Sequence, residues 1–195
     1  MLDASQIQAQ LCSHVLPGLN GRLASDQFVM PNYEGLGIAN LPATIGALFD
    51  AKLDVGCPPL QESLWSDWRK GLKRIVLVVV DALGYLQLQS AMAADDGLIF
   101  HPLAQAGRLL PITSTFLSTT NNVLTTLWTG HSPAAHGVLA YEQYLRELGV
   151  AMSPLFFWPV HHRQRDSMAE WGIDEESFVP VPSAAQEMGA HGIST

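Results

Sequence analysis

Cysteine is scarce in this chain: Cys12 and Cys57 are the only two, and neither stands in a metal-binding or redox spacing. The simplest expectation is a pair of reduced thiols in a cytoplasmic protein. Charge is also low, at 14% of residues, while hydrophobic residues make up 48%. That balance excludes a disordered chain, which needs few apolar groups and many charges. No long apolar run is present. Ile75 to Val80 is the longest, far below the roughly 20 residues that cross a bilayer. The opening residues MLDASQIQAQLCSHV carry neither a basic stretch nor a long apolar one, so no signal peptide is read there. Positive charge is thin: 10 Lys and Arg face 18 Asp and Glu, for a net charge of −8. The one basic cluster, Arg69, Lys70, Lys73 and Arg74, is too short for a nucleic-acid footprint. Neither nucleic acid as a bulk ligand nor a membrane is expected as a partner. A polyanionic small substrate would need local help, such as metal ions.

What is present fits one domain with a core, at 195 residues. Residues 1–70 are the least periodic. Pro17-Gly18, Asn20-Gly21, Pro31-Asn32 and Cys57-Pro58-Pro59 are turn or loop signals. Two short helices are expected there, at Ser5 to Val15 and at Leu41 to Phe49 after Asn40. This section reads as an N-terminal strap laid over a core formed by residues 71–195. RIVLVVVD, from Arg74 to Asp81, has no alternation and is rich in β-branched residues. A strand buried on both faces of a parallel sheet reads this way. A helix follows to about Ala94, then a second strand at Leu109 to Thr113. After the small-residue cluster STFLSTTNN, a helix runs from Asn121 to about Trp128 and stops at Thr129-Gly130. Residues Gly137 to Trp158 fit a hairpin better than a helix. The tail reads as a helix at Ser167 to Trp171, an edge strand at Phe178 to Val181 and a loop from Ser183 to Thr195. Strand, helix, strand, helix in that order argues for an α/β layered fold.

Two residues could carry chemistry. Asp81 ends the apolar strand, where ligands of open α/β sheets bind. Thr120 stands at a helix N-terminus, where free N–H groups attract anions. A hydroxyl is a weak nucleophile and needs an adjacent base or a metal. Taken singly, each residue is more simply a helix cap.

The setting of the pair resembles a known family. IVLVVVDALGY followed by STFLSTTNNVLTTLWTGHSPAAHG resembles the type I phosphodiesterase/nucleotide pyrophosphatase group of the alkaline-phosphatase superfamily. Three features carry the likeness. The first is the apolar strand that ends in Asp-Ala-Leu-Gly. The second is a threonine ten residues before the glycine of Thr-Gly, here Thr120 and Gly130. The third is the Ser-Pro-x-x-His-Gly run from Ser132 to Gly137. NYEGLGIANL, from Asn32, is also similar to the opening of bacterial members.

The resemblance implies an alkaline-phosphatase-like layered sandwich with a mostly parallel central sheet, incomplete in this chain. It implies hydrolysis of a small-molecule phosphate ester, a phosphodiester or nucleotide pyrophosphate before a monoester, through a covalent phospho-threonine. It makes Thr120 the nucleophile and a metal contact, and Asp81 the first ligand of two divalent metals, usually zinc. Thr119 is the competing nucleophile, and the spacing to Gly130 decides for Thr120. Asn121 and Asn122 lie near the substrate-binding amide of the family, whose usual position is occupied here by Val123. Which of the two takes that role stays open.

The remaining ligands, an Asp-x-x-x-His, an Asp-His pair and a later histidine, have no counterpart here. No Asp is followed by His at the next or the fourth position. His131 and His136 are split by Pro133 and read as structural. His161 and His162 sit beside a charged run from Arg163 to Asp166 and read as a solvated loop. The expectation is a truncated part of the enzyme, inactive by itself, with partial metal occupancy and open sheet edges that pair into a homo-oligomer. The alternatives are a sulfatase or phosphonate hydrolase of the same superfamily, and a non-catalytic ligand- or partner-binding domain.

Overall fold

The computed structural model describes residues 3–16, 18–19, 28–165 and 167–195. The expected turn residues Pro17 and Asn20-Gly21, and Asp166 of the charged run, lie outside them. The chain mixes helix and strand. Helix α1 (Ala4–Ser13) opens on a reciprocal cap. Asp3 accepts from the Gln6 N–H at 2.8 Å, and the Gln6 side chain accepts from the Asp3 N–H at 3.0 Å. Ile7 and Leu11, four residues apart, bury one face of it. Helix α2 (Leu41–Leu48) starts with Pro42 in its first turn, where a missing N–H costs nothing. Ile7, Leu11, Leu36, Leu48, Leu64 and Trp65 form the main buried cluster. Leu72, Ile75 and Leu110 pack against it. The section expected to be a strap therefore holds the best-buried core, and both parts of the chain contribute to it.

Asn40 organises this region. It is fully buried. Its carbonyl oxygen accepts from the N–H groups of Gly35 and Gly37 at 3.2 and 2.9 Å. Its amide donates to the carbonyls of Tyr33 and Pro58, both at 2.8 Å. All four hydrogen bonds that one asparagine amide can make are thus in use. Gly37 pairs with Thr113 in an isolated parallel bridge. A Cβ on Gly37 would stand 2.1 Å from the Asn32 carbonyl oxygen, so no larger residue fits there.

The expected parallel strands differ most from the structure. Among the described residues, 72–80 and 109–112 join no sheet, and Thr113 makes only its bridge to Gly37. Val76 is 85% exposed and Val78 75% exposed, so Arg74–Asp81 is not buried on both faces. A run of branched apolar residues needs ladder neighbours before it can bury itself, and no described segment supplies them.

Helices α3 (Tyr85–Ala94) and α4 (Phe100–Ala106) follow that segment. The sequence reading anticipates the first and misses the second. Helix α5 (Thr120–Thr129) ends on Gly130, whose φ of 69° is left-handed. The short α6 (Pro133–His136) comes next. The hairpin is present: β1 (Gln143–Leu145) pairs antiparallel with β2 (Val150–Ser153), and β2 with β3 (Trp158–Pro159). Helices α7 (Ser167–Glu170), α8 (Glu175–Phe178) and α9 (Ala184–Ala190) close the chain. Helix α9 replaces the loop expected from Ser183, and the edge strand expected at Phe178 to Val181 is absent among the described residues, where α8 ends at Phe178 and residues 179–183 are irregular. Ser183 and Gln186 cap α9 reciprocally.

Candidate active site

Asp81 and Thr120 are 39 positions apart in sequence and meet in space. The Thr120 Oγ1 hydroxyl donates to Asp81 Oδ2 at 3.4 Å, a long contact. The other carboxylate oxygen of Asp81 accepts from the N–H of Ala82 at 2.9 Å. Ala82 has a φ of 57°, the left-handed region that alanine enters at a cost of roughly 1–2 kcal/mol. This sharp turn separates the extended residues before Asp81 from α3 after it. Such strain collects at sites where geometry outweighs comfort.

Thr120 is the first residue of α5. The N-cap, Thr119, makes no side-chain capping bond. The first helical bond of this turn runs from Val123 N–H to Thr119 C=O at 2.9 Å. The N–H groups of residues 120–122 precede it, so the positive end of the helix stays available to an anion. The Thr119 hydroxyl is buried with no partner, while Thr120 faces Asp81. Of the two threonines, only Thr120 has its oxygen beside a carboxylate.

Both residues line a cleft of about 740 Å³, with Ser114, Ser118, Tyr85 and Tyr141 on its walls. Tyr85, Ser114 and Ser118 lie within the two motif segments, and the fold brings Tyr141 to them. A larger opening of about 850 Å³ lies further along α5, between Leu124, Trp128 and Glu175. It contains neither Asp81 nor Thr120.

Asn121 and Asn122 do not line the cleft. Both are buried. The Asn121 amide donates to the Tyr141 carbonyl at 3.0 Å, and the Asn122 amide to the Leu139 carbonyl at 3.2 Å. The side-chain amides of both asparagines are thus engaged by the 139–141 backbone. They tie the first turn of α5 to the segment leading into β1.

His136 is the other buried polar centre, at 1% exposure. Its Nδ1 accepts from the Val138 N–H at 3.1 Å, so its Nε2–H donates to Thr126 Oγ1 at 2.9 Å. Thr126 Oγ1 in turn lies 3.5 Å from Asn122 Oδ1. Burial, with the charge of His131 second, pushes the His136 pKa down to about 4. Its place in this relay is structural. His131 uses its Nδ1 on the Thr129 carbonyl at 2.9 Å. The exposed His161 ring lies 6.1 Å from that of Trp171. Both cysteines are free; Cys57 is buried and its pKa is pushed up to about 11 by that burial, then by Glu34.

Among the described residues no group of three or more His, Cys, Asp or Glu could hold a metal ion. Asp81 and Thr120 offer one carboxylate and one hydroxyl, a fit for a single weakly held cation. A two-metal set does not fit the donors described. No helix among these residues is long and apolar enough to cross a membrane. Comparison with protein-family models, curated proteins and solved structures finds no match.

Proposed function

We propose that this chain carries the nucleophile half of a hydrolase site for phosphate esters, in an alkaline-phosphatase-like layered sandwich. In this reading Arg74–Asp81 belongs to a mostly parallel central sheet. The observation that carries it is the contact between Thr120 Oγ1 and Asp81 Oδ2 at the N-terminus of α5. Thr120 Oγ attacks phosphorus in line and forms a phospho-threonine. Its proton leaves toward Asp81, and the leaving oxygen departs with its bonding electrons and takes a proton from water. The free N–H groups of α5 hold the nonbridging oxygens, whose charge the helix dipole favours. Water then cleaves the threonine–phosphorus bond and releases the acid. Asp81 and Thr120 would hold a divalent cation, zinc for choice, which would supply neutralising charge and a more acidic hydroxyl. A diester is preferred because the cleft is larger than a phosphoryl group alone needs.

The decisive test measures zinc-dependent hydrolysis of a nitrophenyl phosphodiester by the full-length protein and by its Thr120→Ala variant. The expected result is loss of turnover by at least a hundredfold, and loss of an acid-stable phosphoryl adduct on Thr120. Unchanged turnover refutes the proposal. A panel of monoester, sulfate and phosphonate substrates separates the other chemistries of the superfamily. The thin donor set favours one second reading, a module that binds an anion at α5 without turning it over. Saturable phosphate binding with no turnover on any substrate would select it.

A further inference from the structure

We propose, resting on the phosphoester reading above, that the cleft of Thr120 and Asp81 has a side chamber for one apolar, uncharged arm of the substrate. The substrate is then a monoanionic phosphodiester with an aryl or alkyl arm, in preference to a nucleotide pyrophosphate or any other polyanion.

The chamber has a volume of about 310 Å³ and lies between α1 and the first turn of α3. It meets the cleft along Tyr85, Ile112, Thr113, Ser114 and Ser118, which line both. Beyond that junction its walls are chiefly apolar, formed by Leu11, Val29, Leu86, Pro111 and Phe116. Val29, Leu86 and Phe116 are 60%, 62% and 69% exposed, so no described residue covers them. An apolar arm seated there takes this surface out of water, which favours binding. A cavity of roughly 150 Å³ holds benzene. The chamber therefore has room for a ring or a short alkyl chain beside the ester.

Charge narrows the substrate further. Among the described residues, no Asp, Glu, Lys, Arg or His lines the chamber. The cleft has one charged wall residue, Asp81, itself an anion. The N–H groups at the start of α5 form a single anion site. A second phosphate would enter with no side-chain cation to pair with it, and an unpaired charge is costly to desolvate. A neutral arm meets no such penalty.

The experiment is calorimetric titration of the full chain with diphenyl phosphate, dimethyl phosphate and the diphenyl ester of pyrophosphate. Diphenyl phosphate is expected to bind at least tenfold more tightly than either of the others. Leu86→Asp puts an anion in the chamber wall and should abolish that preference. Its folding should be unaffected, since Leu86 is largely exposed. Cys12 lines the chamber and is exposed, while Cys57 is buried. Alkylating Cys12 with N-ethylmaleimide should fill the chamber and abolish the preference without any substitution. Equal affinities, tighter binding of the pyrophosphate ester, no binding of diphenyl phosphate, or a preference that survives either change overturns the proposal. Turnover of the nitrophenyl diester is read separately. Turnover without the preference strikes the chamber alone, and the preference without turnover strikes the hydrolase alone.

Discussion

Acid should unfold this protein through one ring, that of His136. At neutral pH the ring is uncharged, accepting from the Val138 N–H and donating to Thr126. A second proton would have to enter at Nδ1, where the Val138 N–H already points. Its pKa falls from 6.5 to about 4 in the folded chain, chiefly through burial. The unfolded chain therefore binds this proton more readily than the folded one. Stability is complete above the unfolded pKa, is lost as pH falls, and stops falling near the folded pKa. A gap from 6.5 to about 4 corresponds to about 2 kcal/mol lost between pH 7 and 5, with a ceiling of roughly 3 kcal/mol by pH 4. Urea titrations at pH 7, 6 and 5 with a constant slope would measure it. His136→Gln is less stable at pH 7 but cannot titrate, so its loss between pH 7 and 5 should be smaller by about 2 kcal/mol. Equal losses in the two proteins would refute the account.

Other outcomes follow from particular contacts. Asn40→Ala removes four hydrogen bonds, two of them buried and two part-buried, and should cost roughly 3–4 kcal/mol in urea unfolding. Gly130→Ala meets a left-handed φ of 69° and a Val55 Cβ only 2.9 Å away, for an expected cost of about 1–3 kcal/mol. Thr126→Val removes the hydroxyl that links His136 to Asn122 and should lower the melting temperature by several degrees, at about 1–2 kcal/mol. Metal analysis after zinc loading and desalting should return well under one zinc per chain, because the donors described are few.

The helices were the most legible part of the sequence. Periodicity and end signals place α1, α2, α3 and α5 within a few residues of their observed bounds. Helix α9 is missed by the sequence reading, which makes Ser183 to Thr195 a loop, although Ser183 and Gln186 form a reciprocal cap. The hairpin was readable from aromatic and β-branched residues on both sides of Gly149. The strand at Arg74–Asp81 was readable as composition only. Branched apolar residues state a preference for a ladder and say nothing about what pairs with them.

The site shows the same division. Asp81 and Thr120 could be named because each sits at the end of a patterned element. Asn121 and Asn122 misled because a helix N-terminus suits both an anion and an inward-facing amide. Their targets, the carbonyls of residues 139–141, lie 17–20 positions away and carry no sequence signal. Tyr85 reaches the cleft from the first turn of α3, and Tyr141 from an irregular segment that no periodicity describes.

The tie between Asn121, Asn122 and residues 139–141 also sets how the site breathes. Helix α5 has no side-chain cap of its own, so its first turn is fastened from outside. The position of Thr120 is then governed by the hairpin root more than by the helix that bears it. When that root opens locally, the threonine, the free N–H groups and the contact to Asp81 are released together. Amide exchange at residues 121–123 should accordingly rise and fall with exchange around Val150, and the cleft would open as one cooperative unit.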